Sequence, residues 1–357
     1  MKASSRNPSR RDILKGSTAL ALGTVFAAPA RAQAPPAETI TPQLIEAAKK
    51  EGKVVWYTSI DLSVAEGIAA AFKAKFSGID VRVERTGAER VFQRVGQEYA
   101  SNVHAVDVVN SSDASNLLDW KKQGVLLPYV PEDVAKHYKP EHRDPDGTYA
   151  GFRATLSPIA YNTKLLKAEE APKSFKDLLD PKWKGKIVKA HPGYSGTILT
   201  ATFEMVRDIG WDYYERLAKQ NVMQVQSATD PPKKLALGER EVMADGTEYN
   251  IFVLRDKNQP VEAVYPTEGT PFIVGPNGIF KAAPNPNAAK LFQNYCFTPD
   301  AQAIIIEIGG LRSLHQQVKE KPGRKLLSEI KLMKEDAEGV EKKSEEIKAR
   351  YTKLFHV

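Results

Sequence analysis

Three strand patterns alternate with three helix patterns between residues 54 and 124, and this repeat constrains the fold more than any other feature. Clusters of β-branched and other apolar residues predict strands at 54–57, 79–83 and 105–109. Apolar residues that recur every three or four positions predict helices at 62–76, 91–99 and 114–123. This alternating order is typical of a parallel sheet with helices on its faces, so the sequence predicts an α/β fold.

Short polar loops follow the three predicted strands, at the edge of the sheet where ligands bind in open α/β folds. Each loop alone is compatible with ordinary helix capping, but three in succession favour a polar cleft. Arg85 or Arg90 is expected near this cleft, although Arg85 is also compatible with a solvated surface arginine. The predicted ligand contacts from these loops are Ser59, Asp61, Arg85, Thr86, Gly87, Ser111 and Ser112.

A further strand, loop and helix pattern runs from residue 186 to residue 205. It places Ser195, Gly196 and Thr197 where a helix begins. Backbone N–H groups without partners and the positive end of the helix dipole favour an anion or a carbonyl group at such a point. Ser195 or Thr197 could equally act as a simple N-cap, because every helix needs one.

The N-terminus carries the features of a twin-arginine export signal. Arg10 and Arg11 are followed by an apolar run at 16–28 and by the small-x-small sequence Ala30-Arg31-Ala32. Residues 1–32 are therefore predicted to be a signal peptide, with a mature chain that begins near Gln33 and is located in the periplasm. The apolar run is too short for a membrane anchor.

Removal of the signal peptide changes the charge of the chain. Residues 1–32 hold six of the 51 basic residues and one of the 44 acidic residues, which leaves 45 against 43 and a net charge of +2. A chain so close to neutral, without a polybasic patch, does not predict a nucleic-acid partner. Cys296 is the one cysteine, so no intrachain disulfide is possible.

Extended patterns at 149–161 and 261–280 flank a second α/β run, which predicts two lobes with a cleft between them. The predicted bounds are 38–155 plus 265–325 for lobe I and 156–264 for lobe II. A C-terminal helical tail is expected at 326–357, with a charged helix at 331–350 that lies over one lobe.

Several segments in this order resemble the extracellular solute-binding proteins of ABC importers, in the branch that binds ferric iron, thiamine, polyamines, sugar phosphates and phosphonates. These segments are 54–59, 161–164, 180–185, 195–196, 265–271, 275–280 and 285–290. The resemblance covers nearly the whole chain after residue 38. It implies a type II periplasmic-binding fold, in which each lobe is a mostly parallel sheet flanked by helices and the ligand cleft lies between the lobes. It also implies an ABC permease in the inner membrane as partner, a monomer and no cofactor.

The residues also bear on the cargo that such a protein would carry. Iron binders of this branch use a consecutive pair of tyrosines, often with a histidine and a carboxylate, and hard oxygen donors suit a ferric ion. That pair falls near Glu248 and Tyr249, so at most one tyrosine is kept, and Asp113 is the candidate carboxylate. The visible pair Tyr213 and Tyr214 is interpreted as helix packing.

The remaining candidates favour a small anionic or zwitterionic organic solute, such as a phosphonate, a phosphate ester or a carboxylate. Arg85 would hold the anionic group, and Tyr249 would stack on the solute or donate a hydrogen bond to it. Asp245 or Glu248 would hold an amine. Ferric iron or a ferric complex is the alternative cargo, with Tyr249 and Asp113 as metal ligands only in that case.

A secreted serine hydrolase is a more distant alternative. The sequence Gly193-Tyr194-Ser195-Gly196-Thr197 is close to the nucleophile elbow of hydrolases, and Asp245 and His315 follow in the required chain order. The fifth position of the elbow is normally glycine, which argues against catalysis here. The six histidines lack metal-binding spacing, and neither a Walker loop nor a Gly-x-Gly-x-x-Gly loop is present. With the elbow also broken, the sequence predicts no enzyme and no metal site, unless ferric iron is the cargo.

Overall fold

The predicted β-α repeat forms the first of two sheets in the computed structural model, which describes residues 34–357. The signal-peptide prediction lies outside these residues. Strands of the first sheet are β1 (Lys53–Thr58), β2 (Asp80–Arg85), β3 (Val108–Asn110), β4 (Leu126–Leu127), β5 (Tyr149–Leu156) and β11 (Phe272–Phe280). Their order is β2-β1-β3-β11-β4, and β5 pairs with β11. The strands β2, β1 and β3 are parallel, as the repeat predicts, whereas β11 runs antiparallel to its neighbours.

The second sheet is built from the middle of the chain. Its strands are β6 (Ile159–Asn162), β7 (Ile187–Ala190), β8 (Met223–Val225), β9 (Val242–Met243) and β10 (Val261–Val264), in the order β10-β6-β9-β7-β8. The strands β9, β7 and β8 are parallel, β6 pairs antiparallel with β9, and β10 pairs antiparallel with β6 at the edge of the sheet. Each sheet therefore has a parallel part made by strand-helix units, which leaves helix N-termini at its carboxyl edge.

Helices cover both sheets in the described part of the chain. They are α1 (Pro42–Glu51), α2 (Leu62–Lys75), α3 (Ala88–Ala100), α4 (Ala114–Lys122), α5 (Glu132–His137), α6 (Gly196–Ile209), α7 (Trp211–Ala218), α8 (Asp230–Ala236), α9 (Glu248–Asp256), α10 (Pro286–Cys296), α11 (Pro299–Glu307) and α12 (Ala337–Phe355). Side chains cap several of them: Asp113 accepts from the Ser115 N–H at the start of α4, and Ser195 accepts from the Ile198 N–H at the start of α6.

Apolar side chains alternate between the two faces of β1 and so anchor helices on both sides of the first sheet. Trp56 packs against Phe292 of α10 on one face, and Phe292 in turn packs against Phe72 of α2. Tyr57 lies on the other face, in a core that includes Val91 of α3 and Trp120 of α4. Cys296 is buried in the first of these cores, where it acts as a small apolar side chain.

The chain passes from the first sheet to the second between β5 and β6, and it returns between β10 and β11. The predicted lobe limits, 38–155 with 265–325 and 156–264, fall close to these two crossings and stay predictions. No helix within residues 34–357 combines the length and the apolar character that a membrane crossing requires.

The C-terminal helix differs from the sequence prediction in its bounds and its surroundings. It starts at Ala337 rather than at residue 331, because residues before it are extended and the Met333 N–H donates to the carbonyl of Thr270. Val340, Ile347 and Tyr351 are buried rather than solvated. The helix α12 lies in contact with α4 beside the first sheet and with α6 and α7 beside the second.

Candidate functional site

A cavity of about 510 Å³ lies where the carboxyl ends of the two sheets face each other. The first sheet contributes loops that follow β1, β2 and β3, and the second contributes loops that follow β7, β8 and β9. The described residues that line it are Ser59, Arg85, Thr86, Gly87, Ala88, Glu89, Arg90, Gln93, Ser112, Arg153, Gly193, Tyr194, Ser195, Thr197, Gln226, Ser227, Ala228, Thr229, Thr247 and Tyr249. Hydroxyl, amide and guanidinium groups dominate this lining, so the cavity suits a polar ligand.

The N-termini of three helices open onto the cavity. Gly87 is the N-cap of α3, Ser195 is the N-cap of α6 and Thr247 is the N-cap of α9, and all three residues line the cavity. Each helix has at least nine residues, so each dipole adds partial positive charge at its start. Three such ends directed at one space favour a negatively charged group.

The start of α6, beside the second sheet, packs closely against the loop after β3 of the first sheet. A Cβ atom on Gly196 would lie 2.7 Å from the Cβ atom of Asp113 and 3.2 Å from the Oγ atom of Ser112. Glycine at this position therefore lets the first turn of α6 pack against the start of α4. Gly196 itself is not among the lining residues, although the sequence pattern placed it in the site with Ser195 and Thr197.

The sequence analysis missed several lining residues, among them Glu89, Gln93 and the loop 226–229 after β8, and the most buried charged one is Arg153 on β5. Only 3% of its surface is exposed, and its hydrogen bonds are to neutral groups, the Oδ1 atom of Asn110 at 3.4 Å and the Oγ atom of Ser59 at 3.3 Å. Burial lowers the pKa of Arg153 from its usual value, although arginine stays charged at neutral pH. A charged residue between buried Phe152 and Ala154 in a predicted strand was the signal that could have identified it.

The backbone beside Arg153 leaves room for its guanidinium group. Gly275 on β11 pairs with Arg153, and a Cβ atom there would lie 3.1 Å from both the Cγ and the Cζ atoms of the arginine. A larger residue at position 275 would push the guanidinium group away from this place. The charge is thus closely packed at the wall of the cavity.

Asp61 lies next to the cavity lining and is engaged by protein groups. Its Oδ1 atom accepts from the Tyr249 hydroxyl at 3.3 Å and lies 3.7 Å from the Nη2 atom of Arg85. Its Oδ2 atom accepts from the side-chain amide of Asn250 at 3.4 Å. Burial, reinforced by Asp61, raises the pKa of Tyr249 above its usual value. Asp61 therefore positions Tyr249 and Arg85 rather than offering a free carboxylate.

Three other predicted site residues have partners away from the cavity. Asp245 forms a fully buried ion pair with Lys189, with 2.6 Å between the Oδ2 and Nζ atoms. Glu248 forms a buried bidentate pair with Arg312, with both N–O distances 2.8 Å. Ser111 is buried and accepts from the Asp113 N–H at 3.0 Å. The expectation that Asp245 or Glu248 holds an amine is corrected by this geometry, because both carboxylates already have cationic partners.

Asp113, the candidate carboxylate for a metal, is buried at the start of α4. It accepts from the backbone and the hydroxyl of Ser115 at 2.9 and 2.6 Å, and burial raises its pKa to about 6. The charge of Glu89 adds to this rise and Lys348 opposes it. Burial, with smaller contributions from Asp113 and Asp336, raises the pKa of Glu335 to about 8. Neither carboxylate lines the cavity.

These raised pKa values predict that Asp113 and Glu335 destabilise the folded chain as the pH rises. The folded state binds protons more tightly than the unfolded state at both carboxyl groups, so their contribution to stability is most favourable at acidic pH and is lost between about pH 4 and pH 8. We expect Glu335→Gln to raise the free energy of unfolding by roughly 2 kcal/mol at pH 8 and much less at pH 5. Urea denaturation at the two pH values measures this. Glu338→Gln is the control, because that side chain is 71% exposed; an equal effect in both variants would contradict the prediction.

The residues of the hydrolase alternative have separate partners. Ser195 caps α6, with its Oγ atom 3.4 Å from the Ile198 N–H, and Asp245 pairs with Lys189. The Nε2 atom of His315 lies 3.3 Å from the Oδ1 atom of Asp133. A triad requires these three side chains to be hydrogen-bonded in sequence. The geometry therefore does not assemble the catalytic arrangement that the chain order suggested.

One cluster in the described part of the chain resembles a metal site, and it consists of Asp133, His137 and His315. Their candidate ligand atoms lie within 4.8 Å of one another, away from the cavity. The Nδ1 atom of His315 accepts from the Gln317 N–H at 3.2 Å, which leaves the ring proton on Nε2, facing Asp133. A metal ion at Nε2 would need the opposite tautomer, so the cluster serves as a hydrogen-bonded contact.

Comparison with known proteins places this geometry in context. The sequence profile of the family described as bacterial extracellular solute-binding protein matches residues 105–327. The chain is 25% identical over 267 residues to iron uptake protein A1 of Synechocystis sp., which covers 70% of this chain and 72% of that protein. It is 26% identical over 247 residues to a Salmonella typhimurium periplasmic protein whose name gives 2-aminoethylphosphonate binding as a proposed role, covering 66% and 69%.

Among solved structures, the periplasmic binding protein AfuA from Actinobacillus pleuropneumoniae, with exogenous fructose-6-phosphate bound, superposes with a TM-score of 0.78. The two sequences are 24% identical, and the match covers 86% of this chain and 99% of AfuA. This likeness shows a common fold.

Proposed function

Because this chain belongs to the bacterial extracellular solute-binding proteins, we propose that its cavity captures a small organic oxyanion and that Arg153 binds the negative group. The chain is a periplasmic substrate-binding component of an ABC transporter with a type II periplasmic-binding fold, and the family implies an ABC permease as its partner. Its relatives are transport proteins rather than enzymes. The site would bind the solute mainly through its phosphate, phosphonate or carboxylate group.

One observation carries this proposal: a buried guanidinium group faces the cavity and has only neutral hydrogen-bond partners. A buried charge is costly unless it is paired, and arginine matches the planar geometry of oxyanions with two parallel N–H donors. Arg85 adds a second guanidinium, and the starts of α3, α6 and α9 add backbone dipoles. The ligands in the names of AfuA and of the Salmonella protein both carry a phosphorus oxyanion, which agrees with this site.

Ferric iron, alone or in a complex, is the second candidate, because Tyr249 lines the cavity and a relative is named for iron uptake. Three features oppose it. Arg153 and Arg85 place positive charge beside Tyr249, and the raised pKa of that tyrosine opposes the tyrosinate form that binds iron. Tyr213 and Tyr214 are buried in the core of the second sheet, as predicted, and do not line the cavity.

Titration of the mature protein, residues 33–357, tests the proposal. We expect ethylphosphonate, glycerol 3-phosphate or citrate to raise the thermal unfolding temperature by several degrees at millimolar concentration, and thiamine not to do so. Ferric citrate is expected to give no visible charge-transfer band. A band that is lost in Tyr249→Phe would instead establish ferric iron as the cargo and contradict the oxyanion proposal.

Three finer features of this function are also proposals. We propose that the protein acts as a monomer, that the two sheets form lobes which close on the solute, and that residues 1–32 direct export through the twin-arginine pathway. Arg10-Arg11 and the small-x-small sequence before Gln33 support the last of these. A twin-lysine variant that still reached the periplasm would contradict it.

A further inference from the structure

Glu89 is the one carboxylate among the described residues that line the cavity. It lies in the first turn of α3, beside Arg90 and close to the start of the helix that faces the ligand space. A free carboxylate at this point would offset the positive field of Arg85, Arg90 and Arg153. It would also bind the ammonium group of a zwitterionic solute. The state of Glu89 therefore bears directly on which solutes the cavity accepts.

Lys348 on α12 neutralises Glu89. The Nζ atom of Lys348 lies 2.8 Å from the Oε2 atom of Glu89, and the two side chains are 22% and 13% exposed. A second contact, 3.2 Å from Lys348 to Glu345 of the same helix, involves a side chain that is 87% exposed. The pair with Glu89 is thus the more shielded of the two, and it brings a cation from the C-terminal helix to the wall of the cavity.

Packing against the second sheet holds Lys348 in place. Val340 and Ile347 of α12 pack with Leu199 and Phe203 of α6. Tyr351 donates a hydrogen bond to the Oε1 atom of Gln224 at 2.8 Å, and its ring lies 4.6 Å from the Nζ atom of Lys189. These contacts hold α12 against the second sheet, and Lys348 contacts Glu89 from this position. The helix α12 lies after the residues that match the family profile.

We propose that Lys348 is a specificity-determining residue: by pairing with Glu89, it makes the cavity select anions without an amine over zwitterions. This inference rests on the proposed oxyanion function of the cavity. With Glu89 paired and Asp61 engaged by Tyr249 and Arg85, an incoming ammonium group meets guanidinium groups and no free carboxylate. Specificity here arises from repulsion of the wrong solute as well as from attraction of the right one.

The test compares two ligands that differ only in the ammonium group, ethylphosphonate and 2-aminoethylphosphonate. Calorimetric titration of the wild-type protein is expected to give roughly fivefold to tenfold tighter binding of ethylphosphonate. In Lys348→Met we expect that ratio to fall by at least about fivefold, because Glu89 becomes free to hold the amine. If Lys348→Met lowered the affinity for both ligands by the same factor, the role of Lys348 would be merely structural and the proposal would be overturned.

Lys343→Met is the matched control. Lys343 lies on the same helix, and its ion pair with Glu346 joins two side chains that are more than half exposed, at 56% and 54%. We expect this variant to keep the wild-type ratio of the two affinities. A change equal to that of Lys348→Met would assign the effect to the net charge of α12 and contradict the specific role of Lys348.

A second measurement does not depend on the identity of the cargo. Carbodiimide coupling with glycine methyl ester, followed by mass spectrometry of the ligand-free protein, reports the reactivity of Glu89. We expect labelling of Glu89 to be several-fold faster in Lys348→Met than in the wild type and in Lys343→Met. An unchanged rate would overturn the role of Lys348, whereas failure of the wild type to bind either phosphonate would count against the proposed function.

Discussion

Replacement of Arg153 by methionine is expected to weaken binding of the oxyanion solute by roughly 100-fold or more. Truncation of one partner of a buried, hydrogen-bonded charge pair costs about 2–5 kcal/mol of binding free energy, and each 1.4 kcal/mol is a factor of ten. Arg153 is buried at the cavity wall, so solvent screens its field little. Calorimetric titration with the oxyanion that binds most tightly to the wild type measures the loss.

Two comparisons separate this binding role from a structural one. Methionine keeps most of the length of the side chain and removes a buried charge, so we expect the ligand-free Arg153→Met variant to unfold at the wild-type temperature or above it. Arg85→Met is expected to lose only about tenfold in affinity, because Arg85 is 34% exposed and lies 3.7 Å from Asp61. Unchanged affinity in Arg153→Met would mean that the negative group of the cargo binds elsewhere.

Replacement of Asp245 by asparagine is expected to lower the free energy of unfolding by roughly 3 kcal/mol, with little effect on solute affinity. Its carboxylate lies 2.6 Å from the Nζ atom of Lys189, and both side chains are 1% exposed. Burial lowers the pKa of Lys189 and raises that of Asp245, so each charge depends on its partner for compensation. Removal of one partner leaves the other buried without a counter-charge.

Urea denaturation of the single variant and of Lys189→Met/Asp245→Asn measures this dependence. We expect the double variant to recover much of the lost stability, because it no longer contains an uncompensated buried cation. Solute affinity, measured well below the unfolding temperature, should stay within a few-fold of the wild type. If Asp245→Asn lost solute affinity but kept its stability, Asp245 would bind the solute, which would contradict its assignment as the partner of Lys189.

The sequence alone predicted much of the cavity lining because topology decides where strand-helix loops meet. Ser59, Arg85, Ser112 and Ser195 each follow a predicted parallel strand, and all four line the cavity. Parallel strands that share a sheet present their carboxyl ends at one edge, so the approximate place of such residues follows from the order of elements. The family, the fold and the transport role are likewise confirmed.

Pairing of charged residues could not be predicted in the same way. Asp245 and Glu248 also follow a strand at the cavity edge, yet their partners are Lys189, fifty-six positions earlier, and Arg312, sixty-four positions later. Which carboxylate stays free depends on the packing of distant segments, and no local pattern encodes it. Lys348 shows the same dependence, because its contact with Glu89 requires that α12 pack on the second sheet.

The sequence by itself determined the α/β architecture, the β-α repeat of the first sheet and the polar loops after its strands, because these features follow from local periodicity and turn residues. Only the tertiary structure decided which charges face the cavity. Arg153 lies in an apolar strand with no motif around it, and its importance arises from burial against β11 and from neutral neighbours at the cavity wall. The free energy of a buried charge depends on its three-dimensional surroundings, which are brought together by residues far apart in the chain.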